Sequence, residues 1–169
     1  MMEAPTASNM GSANMVFPIK LPAGRQGMQP QTQPQYNSDG GNNSWLGEGW
    51  NYSIPYITIE TRWGVPRYSD KEETETYLLN GQQLWPVAHR STPVPRNTDR
   101  FKRFYPRVEG SFDKIIRHGN KPDEYWWEVT DKNGVRRFYG GKPGTGVDPS
   151  AVLTDGNDNI AHWALVEEL

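Results

Sequence analysis

The stretch EYWWEVTDKNGVRRFYGG, residues 124–141, constrains the fold more than any other part of the chain. Trp127 and Val129 alternate with Trp126, Glu128 and Thr130, the two-residue period of a strand with two unlike faces. Asp131-Lys132-Asn133-Gly134 supplies a turn, and Val135–Tyr139 supplies the returning strand. The stretch therefore predicts an antiparallel hairpin. Adjacent Trp126 and Trp127 point to opposite faces, so both faces must be covered or functional.

A second hairpin is expected in ETETYLLNGQQLWPVA, where Asn80-Gly81 provides the positive φ values of a type I′ turn. Further strands are expected at Met15–Leu21, after Trp50 in YSIPYITIETR, at Ser111–Arg117 and in the terminal IAHWALVEEL. In the last of these, Ile160, His162 and Ala164 alternate with Ala161, Trp163 and Leu165. An extended piece near Gln31–Tyr36 contains Pro34, which donates no hydrogen bond and so places that piece at a sheet edge. Residues 89–103, HRSTPVPRNTDRFKR, read as a basic loop, and residues 1–14 as a disordered lead. No stretch of a dozen residues carries a helical period. Seventeen glycines and 14 prolines agree with a turn-rich, all-β chain of short antiparallel hairpins. The core must be aromatic, because mean hydropathy is −0.84 while 12% of residues are Phe, Trp or Tyr. The chain ends inside an expected strand, which predicts an open edge and an incomplete domain over residues 15–169.

Several chemistries are disfavoured by composition. A net charge of −2 gives no electrostatic footprint for nucleic acid. There is no cysteine, and the three histidines, His89, His118 and His162, lie far apart, so no zinc spacing exists. No apolar run is long enough for a membrane span, and no signal peptide is visible. Asp155-Gly156-Asn157-Asp158-Asn159 partly imitates a calcium loop, but its glycine is misplaced and a turn is the simpler reading. The segment Arg96–Arg107 interleaves cations with aromatics and is read as an intramolecular or partner-facing loop.

Five motifs occur in order: FPIKLPAGRQGMQPQ…YNSDGGN…WLGEGWNYSIPYI, RWGVPRY, YLLNGQQLWPV, FYPRVEGSFDKIIRHG and YWWEVTDKNGVRRFYG. Together they resemble the N-terminal domain of SpvB/TcaC-type proteins, which includes the B component of insecticidal toxin complexes and RHS-repeat toxins. The resemblance covers residues 15–169. It implies a β domain at the start of a hollow RHS-type shell that encloses a toxic polypeptide, with a β-propeller and RHS repeats further along the protein. The partners implied are those downstream segments and a toxin-complex A or C component. The location implied is extracellular, or the bacterial cytoplasm before export. No cofactor is implied. The structural signature is Trp45, Gly47, Gly49 and Trp50, then Pro66, Arg67 and Tyr68, then Pro106, Arg107, Glu109 and Gly110, and finally Trp127, Gly134, Tyr139 and Gly140. Within it, Gly47 and Gly49 form a tight corner anchored by Trp45 and Trp50. Glu48 stands where an apolar or small residue is usual, so it faces solvent or finds a polar partner.

In this family SpvB itself carries a separate ADP-ribosyltransferase domain, a chemistry that uses an Arg, a Ser-Thr-Ser strand and a Glu-x-Glu turn. Glu73-x-Glu75 and Arg90-Ser91-Thr92 are the nearest imitations, in the wrong order and without a third Ser. They read as a solvated acidic turn and a basic loop. The chain is expected to be non-catalytic. The alternative is a secreted carbohydrate-binding module that uses exposed tryptophans.

Overall fold

The computed structural model describes residues 6–7, 11–20, 22, 33–39, 43–44, 46–52, 54–86, 95–96, 100–108 and 110–169. Two compact units emerge, Met1–Ile54 and Pro55–Leu169. The boundary between them falls in the middle of SIPY.

The first unit contains β1 (Thr6–Ala7), β2 (Ala13–Val16), β3 (Gln35–Asn37), β4 (Asn43–Ser44), β5 (Gly47–Glu48) and β6 (Trp50–Asn51). Its four-stranded sheet runs β1-β2-β3-β6, and β4 pairs with β5. Paired strands thus begin inside the segment read as a disordered lead. The strand expected to run to Leu21 stops at Val16, leaving Phe17 and Ile19 exposed. The expected edge strand is an inner one, because β3 starts after Pro34 and pairs on both sides. The Pro34 carbonyl accepts from the Phe17 amide at 2.9 Å, so proline sits where no donor is needed.

The second unit contains β7 (Tyr56–Ile59), β8 (Tyr77–Leu79), β9 (Gln82–Pro86), β10 (Phe101–Pro106) and β11 (Lys114–His118). It continues with β12 (Trp126–Thr130), β13 (Arg136–Tyr139), β14 (Gly141–Lys142), β15 (Gly146–Val147), β16 (Val152–Thr154) and β17 (Ile160–Glu168). Strands β7 to β13 pair in sequence order, and β17 pairs with both β7 and β13. Eight antiparallel strands therefore close into a barrel. The edge that the sequence left open is filled: the first half of β17 lies between β16 and β7, and its second half meets β13.

Both predicted hairpins form. Asn80 and Gly81 have φ of 49° and 83° and join β8 to β9. Asp131 and Gly134 close the turn between β12 and β13. Strand β10, by contrast, occupies a stretch whose first part reads as a basic loop. Its pairing is regular, Phe104 opposite Ile115 and Lys102 opposite Arg117. The strand expected over Ser111–Arg117 begins at Lys114; Phe112, with φ of 59°, is an exposed residue of the preceding loop. In β17 the alternation breaks. Leu153 faces His162 and Thr154 faces Ile160, so Ala161 is an extra residue. That bulge is why Ile160 and Trp163 are both buried.

The barrel lumen is packed with Ile57, Ile59, Tyr77, Leu84, Phe104, Ile115, Trp127, Val129, Tyr139 and Trp163. Trp127 and Trp163 meet edge-on at 5.8 Å, and Tyr77 contacts both. Rings with this offset geometry bury large areas and add about 0.5–1.5 kcal/mol per pair. Trp126, on the outer face, is covered by His118, stacked at 3.9 Å.

Candidate functional site

Strand directions place the connections 60–76 and 119–125 at one mouth of the barrel, where Arg96 also lies, bonded to Ser69 and Glu75. That mouth holds a cluster of buried charges. Arg117 shares the inward face of β11 with Ile115 and is fully buried. Its Nη1 donates to Glu73 Oε1 at 2.5 Å and to the Tyr77 hydroxyl at 2.9 Å, and its Nη2 donates to Glu73 Oε2 at 2.9 Å. Its guanidinium lies 3.7 Å from the Tyr125 ring centre. Lys102 Nζ reaches the second oxygen of Glu73 at 2.9 Å. Beside them, Arg96 Nη2 donates to Glu75 Oε2 at 2.7 Å, and Arg96 Nε donates to the Ser69 carbonyl. Glu75 in turn accepts from the Tyr68 amide at 2.7 Å.

The side chains of Glu73 and Glu75 are 2% and 0% exposed. The solvated acidic turn expected here is therefore wrong. Glu73 and Glu75 are in phase with inward-facing Tyr77 and Leu79, and the barrel mouth takes them in. Burial alone would raise the Glu73 pKa, but the hydrogen bond and charge of Arg117, then Lys102, bring it below the ordinary 4.5. For Arg117, burial opposes the charge, and Tyr77 and Glu73 outweigh it. Burial lifts the Tyr77 hydroxyl well above its usual range. The cluster remains ionic, with each buried carboxylate engaged by an arginine. It fastens the 60–76 connection and Arg96 to the mouth. Arg90, Ser91 and Thr92 lie outside the described residues.

At the glycine corner, Gly47 and Gly49 have φ of 113° and 78°. A Cβ on Gly49 would lie 2.7 Å from Tyr36 Cε2 and 2.9 Å from the Asn37 carbonyl, whereas Gly47 faces open space. The Gly49 carbonyl accepts from the Asn37 amide at 2.8 Å, and Trp50 meets Tyr36 at 5.4 Å. Glu48 is exposed, resolving that alternative toward solvent. Trp45 and Glu109 lie outside the described residues. Pro106 is buried in β10, while Arg107 is exposed and donates to Gln83 at 3.1 Å. Gly110 is exposed with open space around it. Trp127 and Tyr139 belong to the core. Gly134, with φ of 88°, completes its turn. Gly140, with φ of 68°, is buried directly against the Trp163 ring, which a Cβ would strike.

The DGNDN segment is a turn. Asp155 Oδ1 accepts from the amides of Asn157 and Asn159 at 2.8 and 2.9 Å, and these bonds, led by the Asn159 side chain, lower its pKa. No group of three or more candidate metal ligands occurs among the described residues.

Of the tryptophans, Trp63 is the one that stands far out into solvent among the described residues. Pro66, Arg67 and Tyr68 belong to a loop whose tip bears Trp63 and Val65, 90% and 88% exposed. Beside it runs an open groove of about 340 Å³, lined in part by Ile59, Glu60, Pro66, Thr74 and Thr76. Tyr68 holds φ of 47° and is half-buried, and its hydroxyl is pushed up to about 12 by burial and by Asp155 and Glu75. Among the described residues, no helix is long and apolar enough to cross a membrane.

No curated protein matches the sequence. Among solved structures, the N-terminal domain of effector protein SpvB from Salmonella typhimurium strain LT2 is similar, with TM-score 0.71 at 24% identity. That likeness covers 92% of this chain and 50% of the other. TcdB2-TccC3 is similar with TM-score 0.72 at 24% identity, over 98% of this chain and 8% of that one. TcdB2-TccC3-Cdc42 gives 0.71 at 24% identity, over 94% and 8%. These likenesses are of fold, and the chain spans only half, or less than a tenth, of the structures it matches. The family described as Salmonella virulence plasmid 65kDa B protein matches residues 7–169, and the chain belongs to this SpvB family.

Proposed function

We propose that this chain is a non-catalytic structural domain of a bacterial virulence or toxin-complex protein, contributing to an RHS-type shell that encloses a toxic polypeptide. The observation that carries the proposal is the family match over residues 7–169, together with a fold shared with TcdB2-TccC3. The interior chemistry supports it. The lumen is filled with aromatic and aliphatic side chains, and the two glutamates that imitate a transferase motif are engaged by Arg117 and Arg96. Partners on this reading are further segments of the same polypeptide and a toxin-complex A or C component. The complete protein then acts outside the cell after export.

Trp127 and Trp163 fill the core and Trp126 is covered by His118, which removes these three from the carbohydrate-binding alternative and leaves it only the exposed Trp63 and the partly exposed Trp85 among the described barrel residues. Electron cryomicroscopy of the complete gene product tests the proposal. The expected map is a hollow shell with this barrel built into its wall. A barrel tethered to a compact enzyme with no enclosed volume would overturn it.

A further inference from the structure

We infer that the loop Arg62–Arg67 is the anchor by which this domain docks onto another domain of its own polypeptide. This rests on the reading of the chain as one part of a larger assembly. Trp63 is 90% exposed and Val65 88%. A tryptophan that free leaves on the order of 200 Å² of mostly apolar surface in water. At that exposure Trp63 projects into solvent at the edge of the groove it helps to line. The backbone on either side of it is tied down. Glu60 Oε2 accepts from Arg62 Nε and Nη2 at 2.9 and 2.5 Å. The Gly64 amide donates to the Thr61 carbonyl at 3.2 Å, and the Tyr68 amide is tied to buried Glu75. Aromatic residues presented on a fixed frame are the usual energetic centres of protein interfaces, because little order is lost on docking.

Three observations select the occupant. First, in the solved structures of this fold, the matched part is 50% or 8% of the chain, so the fold sits within longer polypeptides. Second, the groove beside Trp63 combines apolar Ile59 and Pro66 with the hydroxyls of Thr74 and Thr76, a mixture suited to a polypeptide segment. Third, the charge of Arg62 is met within the loop by Glu60, which leaves only Arg67 to attract an anionic surface. Two apolar side chains and one cation are too little for stable lipid anchoring. Arg67 instead suits a single carboxylate on the rim of the docked domain.

The test is thiol labelling of the complete gene product carrying Val65→Cys, read at that peptide by mass spectrometry. The 169 residues contain no native cysteine, so the new thiol is unique in this domain. Labelling at least about tenfold slower than in the urea-unfolded protein, independent of protein concentration, is the expected result. Adding Trp63→Ser should restore labelling about tenfold while leaving the unfolding midpoint of the barrel unchanged. Labelling at the unfolded rate overturns the inference. Protection that vanishes on dilution, or that appears only with anionic vesicles, also overturns it, in favour of a second copy or a membrane. A hollow shell with a freely labelled Val65→Cys would sink this inference alone; the absence of a shell would sink the function proposed above.

Discussion

Removing one member of the buried Glu73–Arg117 pair is the sharpest perturbation the barrel offers. The Arg117 and Glu73 side chains are 0% and 2% exposed, so solvent cannot compensate a lost partner. Arg117→Met removes two hydrogen bonds to Glu73, one to Tyr77 and the cation stacked on Tyr125. Glu73→Gln leaves the same guanidinium buried without its counter-charge. Breaking a buried pair in this way costs about 3–5 kcal/mol. Lys102, still 2.9 Å from Glu73, places Arg117→Met toward the lower end of that range. The double variant leaves neither charge stranded, so it should be less destabilised than the sum by about 1–3 kcal/mol. Urea unfolding followed by the fluorescence of buried Trp127 and Trp163 measures all three. The pH dependence has a definite sign. The folded Glu73 pKa lies below 4.5, so its contribution is fully present above the unfolded value and is lost as pH falls through the folded value. Wild type should therefore lose stability below about pH 4.5, and Glu73→Gln should lack that part of the acid limb. Single-variant losses under about 1 kcal/mol, the range of exposed pairs, would refute the reasoning. So would strict additivity in the double variant.

Two glycine substitutions test the backbone geometry. Gly140→Ala must hold φ of 68° and drive a methyl into the Trp163 ring, so it should cost about 2–4 kcal/mol in the same urea assay. At the corner, Gly47→Ala carries only backbone strain, about 1–2 kcal/mol, whereas Gly49→Ala adds contact with Tyr36 and the Asn37 carbonyl. Proteolysis within residues 33–52 should therefore accelerate more for Gly49→Ala, and an equal effect would remove the steric part of the argument.

The elements legible in the sequence were those in which local chemistry and tertiary environment agree. Asn80-Gly81 dictates its own turn, and Trp127 and Val129 alternate in phase with the lumen they fill. At the glycine corner, Gly49 has no room for a side chain whereas Gly47 faces open space. Strand β10 was hidden because its inward face begins with Lys102, whose partner Glu73 is 29 residues away. The ion cluster was hidden likewise, with Arg117 and Glu73 separated by 44 positions. One signal could have found it. Glu73 and Glu75 continue the phase of Tyr77 and Leu79, and Arg117 continues that of Ile115. Barrel closure was illegible for a different reason. The terminal strand carries an extra residue at Ala161 and another at Val166, where Phe138 faces Glu167 but Tyr139 faces Leu165. These bulges break the period that locates a strand while letting β17 serve both β7 and β13. The turn at Trp63 was legible from Gly64 and Pro66, but its exposure was not, because an exposed tryptophan and a core tryptophan read alike in sequence.

A scaffold that holds itself together through its own sheet is the centre of this account, and its seam is the pairing of β13 with β17. The Arg136 and Leu169 amides each donate to the other's carbonyl at 2.8 Å, and the Gly140 amide donates to the Ala164 carbonyl at 2.9 Å. Residue-resolved hydrogen exchange across Arg136–Gly140 and Ala164–Leu169 tests it most directly. A closed barrel predicts that the hydrogen-bonded amides on both sides of the seam exchange as slowly as those between β11 and β12, by opening of the whole barrel. Fast exchange confined to the seam, with β11 and β12 still protected, would show an open sheet and contradict the account.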